Sequence, residues 1–382
     1  MNSVVRQLYE QGTDVVMVDT GNSYEGLCEY LGGKYISYTE ERPITMNPFR
    51  INRAEMNVEK TGFLKNLVLL IWKGSQGTVT KTEDRLIEQV ITEYYDTYFN
   101  GFDGFTPLQR EDLRKGLLID DRNHAEKQDE DEGERTGRIE RMIDEMERRR
   151  KELKVEELSF NSFYEFSVQR IPDICAENHI SGIDISTYRY MMKDFYRGGN
   201  HEKTLNENMD SSLFDETFIV FEIDSIKDDP LLFPLVTLII MDVFLQKMRI
   251  KKNRKVLVIE EAWKAIASPL MAEYIKFMYK TARKFWASVG VVTQEIQDII
   301  GSPIVKEAII NNSDVVMLLD QSKSASGSMK SRLFSDLPTW TAKDITINRL
   351  ETRKGAALRE VFIRRGRPSG AYGVEEPREC YM

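Results

Sequence analysis

Short apolar runs without alternation, each closing on acidic or amide side chains, recur toward both ends of the chain. Lys255 to Ile259 runs into Glu260 and Glu261; Val15 to Val18 into Asp19; Phe218 to Ile223 into Asp224; Ser288 to Thr293 into Gln294; Asp314 to Leu319 into Asp320. Such runs read as strands buried on both faces, the pattern of a parallel sheet under helices. A shorter strand is expected from Lys34 to Tyr38. Helical spacing fills the gaps. Val4, Val5 and Leu8 share a face that Gly12 ends, Tyr24 to Tyr30 is helical, and Pro230 starts a helix reaching about Met248. Ser268 reads as the N-cap of a further helix, with Pro269 in its first turn and Leu270, Tyr274, Phe277 and Met278 on its buried face. Another helix is expected near Ile304 to Ile310. Alternating strands and helices imply right-handed crossovers and a mostly parallel α/β sheet. Asp19, Asp224, Glu260, Glu261, Gln294 and Asp320 are then expected along one edge, at the carboxyl ends of the strands, where open α/β sheets bind ligands.

From Asn57 the pattern changes to helical periods with no strands. Phe63, Leu67, Val68 and Ile71 form one face, and Leu86, Ile87, Val90, Ile91, Tyr94, Tyr95 and Tyr98 another. The acidic run Glu126 to Glu134 reads as a solvated segment. A charged helix over Arg138 to Leu158 carries Ile139, Met142, Ile143, Met146 and Leu153 on one stripe, suited to packing within its own domain or against a partner helix. Helices follow over Ser162 to Asn178 and Thr187 to Arg197. The domain expectation is an α/β core in two parts, residues 1–59 and 211–382, interrupted by an all-helical insertion over residues 60–210.

Composition narrows the function classes. The chain has 382 residues, 41% hydrophobic and 30% charged, with net charge −9 and pI about 5.3. That balance argues against a generally sticky nucleic-acid binder, so any such contact requires a local patch. Lys343 to Arg367 is such a basic stretch, readable as a phosphate contact or as solvated surface. Cys28, Cys175 and Cys380 give neither a disulfide framework nor zinc spacing and point to a reducing compartment; His124, His179 and His201 also lack ligand spacing. The start lacks the apolar segment of a signal peptide, and the run Leu231 to Leu245 is too short to cross a bilayer.

The adjacent acids carry the chemistry. The strand ending in Glu260 and Glu261 looks like a Walker B strand, in which one acid helps hold hydrated Mg²⁺ on nucleotide phosphates and the other orients and deprotonates water. Glu260 is then the metal-side acid and Glu261 the general base. Two glutamates solvated at a strand end are the alternative. The basic turn Arg249 to Lys255 is accounted for by the preceding helix's dipole.

Val18-Asp19-Thr20-Gly21-Asn22-Ser23-Tyr24-Glu25-Gly26-Leu27-Cys28, then Leu31-Gly32-Gly33, Asn47-Pro48-Phe49, Ile259-Glu260-Glu261-Ala262-Trp263 and Thr293-Gln294, taken in this order, resemble the TraG-type conjugation ATPases of type IV secretion machinery, in the HerA/FtsK branch of RecA-like P-loop proteins. The resemblance implies a RecA-like α/β fold with an all-α insertion subdomain, and a hexameric ring hydrolysing ATP with Mg²⁺ at its subunit interfaces. It further implies a place at the cytoplasmic face of the bacterial inner membrane, driving conjugative pilus assembly or substrate transfer. Membrane components of the secretion apparatus, and DNA or a relaxase–DNA complex, are the partners it implies. Glu260 and Glu261 match the Walker B acids. Gln294 matches the strand-end sensor at the γ-phosphate. Arg283, with Lys284, matches the arginine reaching a neighbour's nucleotide, helix C-terminal capping being the alternative. Asp19 falls on the cofactor-binding edge.

Two departures stand out. The commoner Walker B pair is Asp-Glu, and no Gly-x-x-x-x-Gly-Lys-Ser/Thr occurs; Gly32-Gly33-Lys34-Tyr35 is a near miss. In the family the phosphate loop immediately precedes the helix that opens this chain. The expectation is therefore a motor-domain fragment that neither binds ATP tightly nor hydrolyses it. Three rivals stay open: a nucleotide-free docking module, a DNA-coupling ATPase of the same superfamily, and a Rossmann dehydrogenase using Asp19 on ribose. The last lacks Gly-x-Gly-x-x-Gly and leaves Glu260, Glu261 and Gln294 without a role.

Overall fold

The computed structural model describes residues 1–123, 131–261, 269–293, 309, 312–319, 358–365 and 369–375. The chain divides into two compact units, Met1–Arg42 with Asp210–Met382, and Pro43–Met209.

The first unit is α/β. Helix α1 (Asn2–Glu10) leads into β1 (Asp14–Asp19), followed by α2 (Glu25–Tyr30) and β2 (Lys34–Ser37). After the helical unit come β3 (Phe218–Glu222), a long helix (Leu232–Ile250), β4 (Lys255–Ile259), a helix over Pro269–Ala282 and β5 (Ala287–Val291). The five strands form one parallel sheet in the order β2-β3-β1-β4-β5. Every residue of β1, β3 and β4 is buried, which is why these runs show no alternation. On one face Val15, Met17, Phe218, Val220, Val256 and Val258 pack with Val5, Tyr24, Leu27 and Cys28 of the amino-terminal segment. The alternate residues Val16, Val18, Ile219, Phe221, Leu257 and Ile259 are equally buried. The Leu232–Ile250 helix contacts β1 and β4 and is buried along nearly its whole length. Gly33 marks a close approach: a Cβ there would sit 2.8 Å from the Phe218 carbonyl oxygen.

The strand after β5 departs from expectation. β6 (Val315–Leu318) pairs antiparallel with β7 (Leu358–Arg365), which pairs antiparallel with β8 (Ser369–Glu375), in a separate three-stranded sheet. A period-free apolar run does not state its partner or direction, and here β7 and β8, far along the chain, supply the pairing. The expected helix near residue 304, apart from Ile309, lies outside the described residues, as do Gln294 and Asp320.

The second unit is helical: α3 (Val58–Lys73), α4 (Lys81–Asn100), α5 (Pro107–Asn123), α6 (Glu132–Glu152), α7 (Phe160–Glu177), α8 (Ile185–Met192) and α9 (Glu202–Asn206). The Leu232–Ile250 and Pro269–Ala282 helices of the first unit are accordingly α10 and α11. Caps define several starts. The Asn57 side chain accepts from the Lys60 N–H, and Thr80 with Glu83 and Ser159 with Ser162 form capping boxes. α6 begins earlier than its apolar stripe suggests because Asp131 caps it and Glu132 and Glu134 occupy its first turn. The segment after Arg42 belongs to this unit because Phe49 stacks on Phe163 with ring centroids 4.9 Å apart and Met46 N–H donates to the Thr204 carbonyl. Arg170 is fully buried between Glu93 and Glu177, with guanidinium–carboxylate distances of 2.6 and 2.7 Å. Among the described residues no helix is long and apolar enough to cross a membrane.

Candidate active site

Strand order places three acids side by side. β3, β1 and β4 are consecutive and parallel, so Glu222, Asp19 and Glu260 leave the sheet at the same rim. Asp19 is in register with Glu222, and Glu260 N–H donates to the Val18 carbonyl oxygen at 2.9 Å.

Asp19 is 1% exposed and Glu222 3%. Asp19 Oδ2 accepts from the backbone N–H groups of Ser23 (2.8 Å) and Tyr24 (3.3 Å), which bends the chain back after β1. Glu222 accepts from the N–H groups of Gly21 (3.4 Å), Asn22 (3.0 Å) and Asp224 (2.8 Å) and from the Tyr35 hydroxyl (3.3 Å). Burial, then the Glu222 charge, then a side-chain hydrogen bond to Glu222, push Asp19 up to about 7; the Ser23 and Tyr24 N–H groups oppose this. Asp19 Oδ1 accepts from no donor among the described groups.

Glu260 is half-buried, and its Oε1 accepts a hydrogen bond from the Tyr24 hydroxyl. Burial raises its carboxyl above the usual range, against the lowering effect of that bond. Glu261 follows in a left-handed conformation, φ 46°, which costs a non-glycine residue roughly 1 kcal/mol or more and turns the chain out of the strand direction. Strain of this kind concentrates at functional sites.

The remaining sequence-derived candidates are dispersed. Asp224 opens a short 3₁₀ turn, where its N–H serves Glu222 and its carboxylate pairs with Lys227 at 2.8 Å. Arg283 and Lys284 are exposed on a 3₁₀ turn between α11 and β5. That turn precedes β5, and Trp286 O accepts from the Lys255 N–H at the start of β4, so both cations stand at the amino rim. The five-residue strand separates the rims by about 16 Å, so the two cations do not gather with Glu260 of the same chain. Gln294 is outside the described residues. The backbone two residues earlier runs along β4, with Val292 N–H donating to Ile259 O at 2.9 Å.

Glu222 and Tyr24 are the residues that sequence reasoning missed. Glu222 is the one acid inside the run Phe218 to Ile223, and that was its one signal; Tyr24 read only as the first residue of a helix.

A family model described as the TraG P-loop domain matches residues 1–128 and 110–382. The chain belongs to the TraG P-loop domain family. Its relatives include the type IV secretion system protein CagE of Helicobacter pylori, 46% identical over 52 residues, an alignment taking in 14% of this chain and 5% of that protein. The structure of VirB4 of Thermoanaerobacter pseudethanolicus shares the fold, with TM-score 0.62 and 15% identity over 100% of this chain and 86% of that one. Plasmid coupling protein TrwB in complex with a non-hydrolysable ATP analogue aligns with TM-score 0.51 and 13% identity over 98% of this chain and 81% of that one. The TraG-family core seen here is thus the expected RecA-like α/β sheet with flanking helices.

The acids present fit a nucleotide-bound Mg²⁺. Such an ion keeps several waters and takes one or two carboxylates plus phosphate oxygens rather than an all-protein cage. No cluster of three or more metal-ligating side chains occurs among the described residues, while Glu260 supplies one oriented carboxylate at the sheet rim.

Proposed function

We propose that this chain is the motor-domain portion of a conjugative-transfer ATPase that powers type IV secretion, either pilus assembly or DNA transfer, as part of a hexameric ring. The observation that carries the reading is the pair Glu260 and Glu261 at the carboxyl end of a central parallel strand, one held by a buried tyrosine and the other on a left-handed turn. Family membership supports it, as does the ATP analogue bound by TrwB, a protein of the same fold.

On this reading Glu260 would hold hydrated Mg²⁺, which when bound neutralises developing charge on the phosphates. Glu261 accepts the proton of the attacking water, and Gln294 orients that water. Arg283, with Lys284, lies on the wrong rim to serve its own chain's nucleotide and instead reaches a neighbour's, coupling hydrolysis to assembly. Asp19 shapes the rim beside the phosphates. The membrane components of a secretion apparatus and a DNA or relaxase–DNA substrate are the partners, at the cytoplasmic face of the inner membrane.

The chain contains no Gly-x-x-x-x-Gly-Lys-Ser/Thr. It therefore lacks the backbone N–H cradle and lysine that such a loop supplies, and by itself neither binds ATP tightly nor turns it over. Micromolar ATP binding by calorimetry contradicts this. A chain extended ahead of α1 by a phosphate loop gains ATPase activity, and Glu261→Gln in that form abolishes turnover while nucleotide stays bound. Undiminished turnover in Glu261→Gln removes Glu261 as the base.

A further inference from the structure

Tyr24 is 2% exposed, with its ring in the core formed by Val5, Val15, Met17, Leu27 and Val258. Its hydroxyl emerges from that core to donate to Glu260 Oε1. Its backbone is tied as tightly as its side chain. Tyr24 N–H and Ser23 N–H both donate to Asp19 Oδ2, and the preceding Gly21 and Asn22 N–H groups donate to Glu222. Tyr35 closes the turn by donating to the Asn22 side chain at 2.9 Å, with Asn22 itself at φ 53°. Two strands thus hold the loop that delivers the phenol to the end of a third.

A glutamate has three side-chain torsions, and at a strand end little packing restrains them. A buried phenol restrains them in two ways: it occupies one carboxylate oxygen and favours one rotamer. An ordinary structural tyrosine satisfies its hydroxyl on whatever carbonyl is near, as Tyr95 does on the Phe49 carbonyl. Tyr24 satisfies its hydroxyl on the acid that the ATPase reading makes the metal-side ligand.

We propose that Tyr24 is a positioning residue for Glu260, and that the Gly21–Tyr24 loop anchored by Asp19 and Glu222 exists to hold it there. The assignment rests on the ATPase reading and adds a residue to that site. Hydrogen-bond partners that orient metal-side ligands are worth about 10- to 100-fold in affinity or activity.

The test is Tyr24→Phe, which keeps the ring and removes the hydroxyl. A circular dichroism melt establishes that it folds; a variant that does not is replaced by Tyr24→Met, which also lacks the hydroxyl. In crystals of the chain as it stands, Glu260 is expected in one position in the parent and displaced or spread over several in the variant. An unchanged Glu260 overturns the proposal. In the loop-extended form, kcat is expected to fall about 10- to 100-fold with KM for ATP nearly constant, a split that general loosening of the fold does not produce. If Glu261→Gln abolishes turnover while Tyr24→Phe keeps kcat, the role of Tyr24 falls and the ATPase reading stands. If the loop-extended parent itself shows no turnover, the ATPase reading falls and this assignment falls with it.

Discussion

The buried acid pair at the ends of β1 and β3 makes the stability of the α/β unit depend on pH in a direction opposite to that of most carboxylates. Asp19 is raised from 3.8 to about 7 in the folded chain, by burial first and by Glu222 second. Its folded state therefore holds a proton that the unfolded state has released throughout the interval between those values. The sign follows: the penalty is absent below about pH 4, grows as pH rises, and is complete above about pH 7. At about 1.4 kcal/mol per pKa unit the ceiling is about 4 kcal/mol. Because part of the shift comes from the neighbouring Glu222 rather than from burial of Asp19, the ceiling does not belong to Asp19 alone, and about 2 kcal/mol is the working figure. Asp19→Asn removes the titration while its side-chain oxygen still accepts from Ser23 and Tyr24 and its amide donates toward Glu222. Urea unfolding of parent and variant at a series of pH values from 4 to 8 reads the effect. The variant should match the parent at pH 4 and gain on it steadily, reaching about 2 kcal/mol, or roughly 4–8 °C in Tm, by pH 8. A stability difference that does not change with pH, or a variant weaker than the parent at pH 8, refutes the raised Asp19 carboxyl.

Arg283→Ala in the loop-extended form should lose turnover, and mixing it with Glu261→Gln copies should restore part of it, because each supplies what the other lacks across an interface; no recovery in a steady-state ATPase assay counts against action in trans. Arg170→Met leaves Glu177 without its cation and Glu93 with Arg150 alone, and should destabilise the helical unit by about 3 kcal/mol, measured by denaturant unfolding followed by circular dichroism. Gly33→Ala drives a methyl group against the Phe218 backbone and should cost about 1–3 kcal/mol, seen as a lower Tm of the α/β unit.

β1, β3 and β4 were legible locally because burial on both faces removes alternation, a property each run carries by itself; β5 shows the same run of residues but has no buried position, so there the pattern found the strand and overstated its burial. The same holds for the capped helices of the second unit and for Glu260 and Glu261, which a strand-ending pattern singles out without reference to anything distant. Neighbour relations were not legible in this way. Nothing local distinguishes the run Val315–Leu318 from the run Val256–Ile259, yet one joins an antiparallel sheet with β7 and β8 and the other the parallel core. The reason is that strand pairing is decided by backbone hydrogen bonds to segments remote in sequence, while side-chain pattern reports only burial. Glu222 becomes an acid of the rim only when the order β3-β1-β4 brings it beside Asp19. Tyr24 becomes more than a core residue only when β4 ends within reach of its hydroxyl. Arg283 sits close to Glu260 in sequence, but because β5 runs parallel to β4 the fold sends the two to opposite rims.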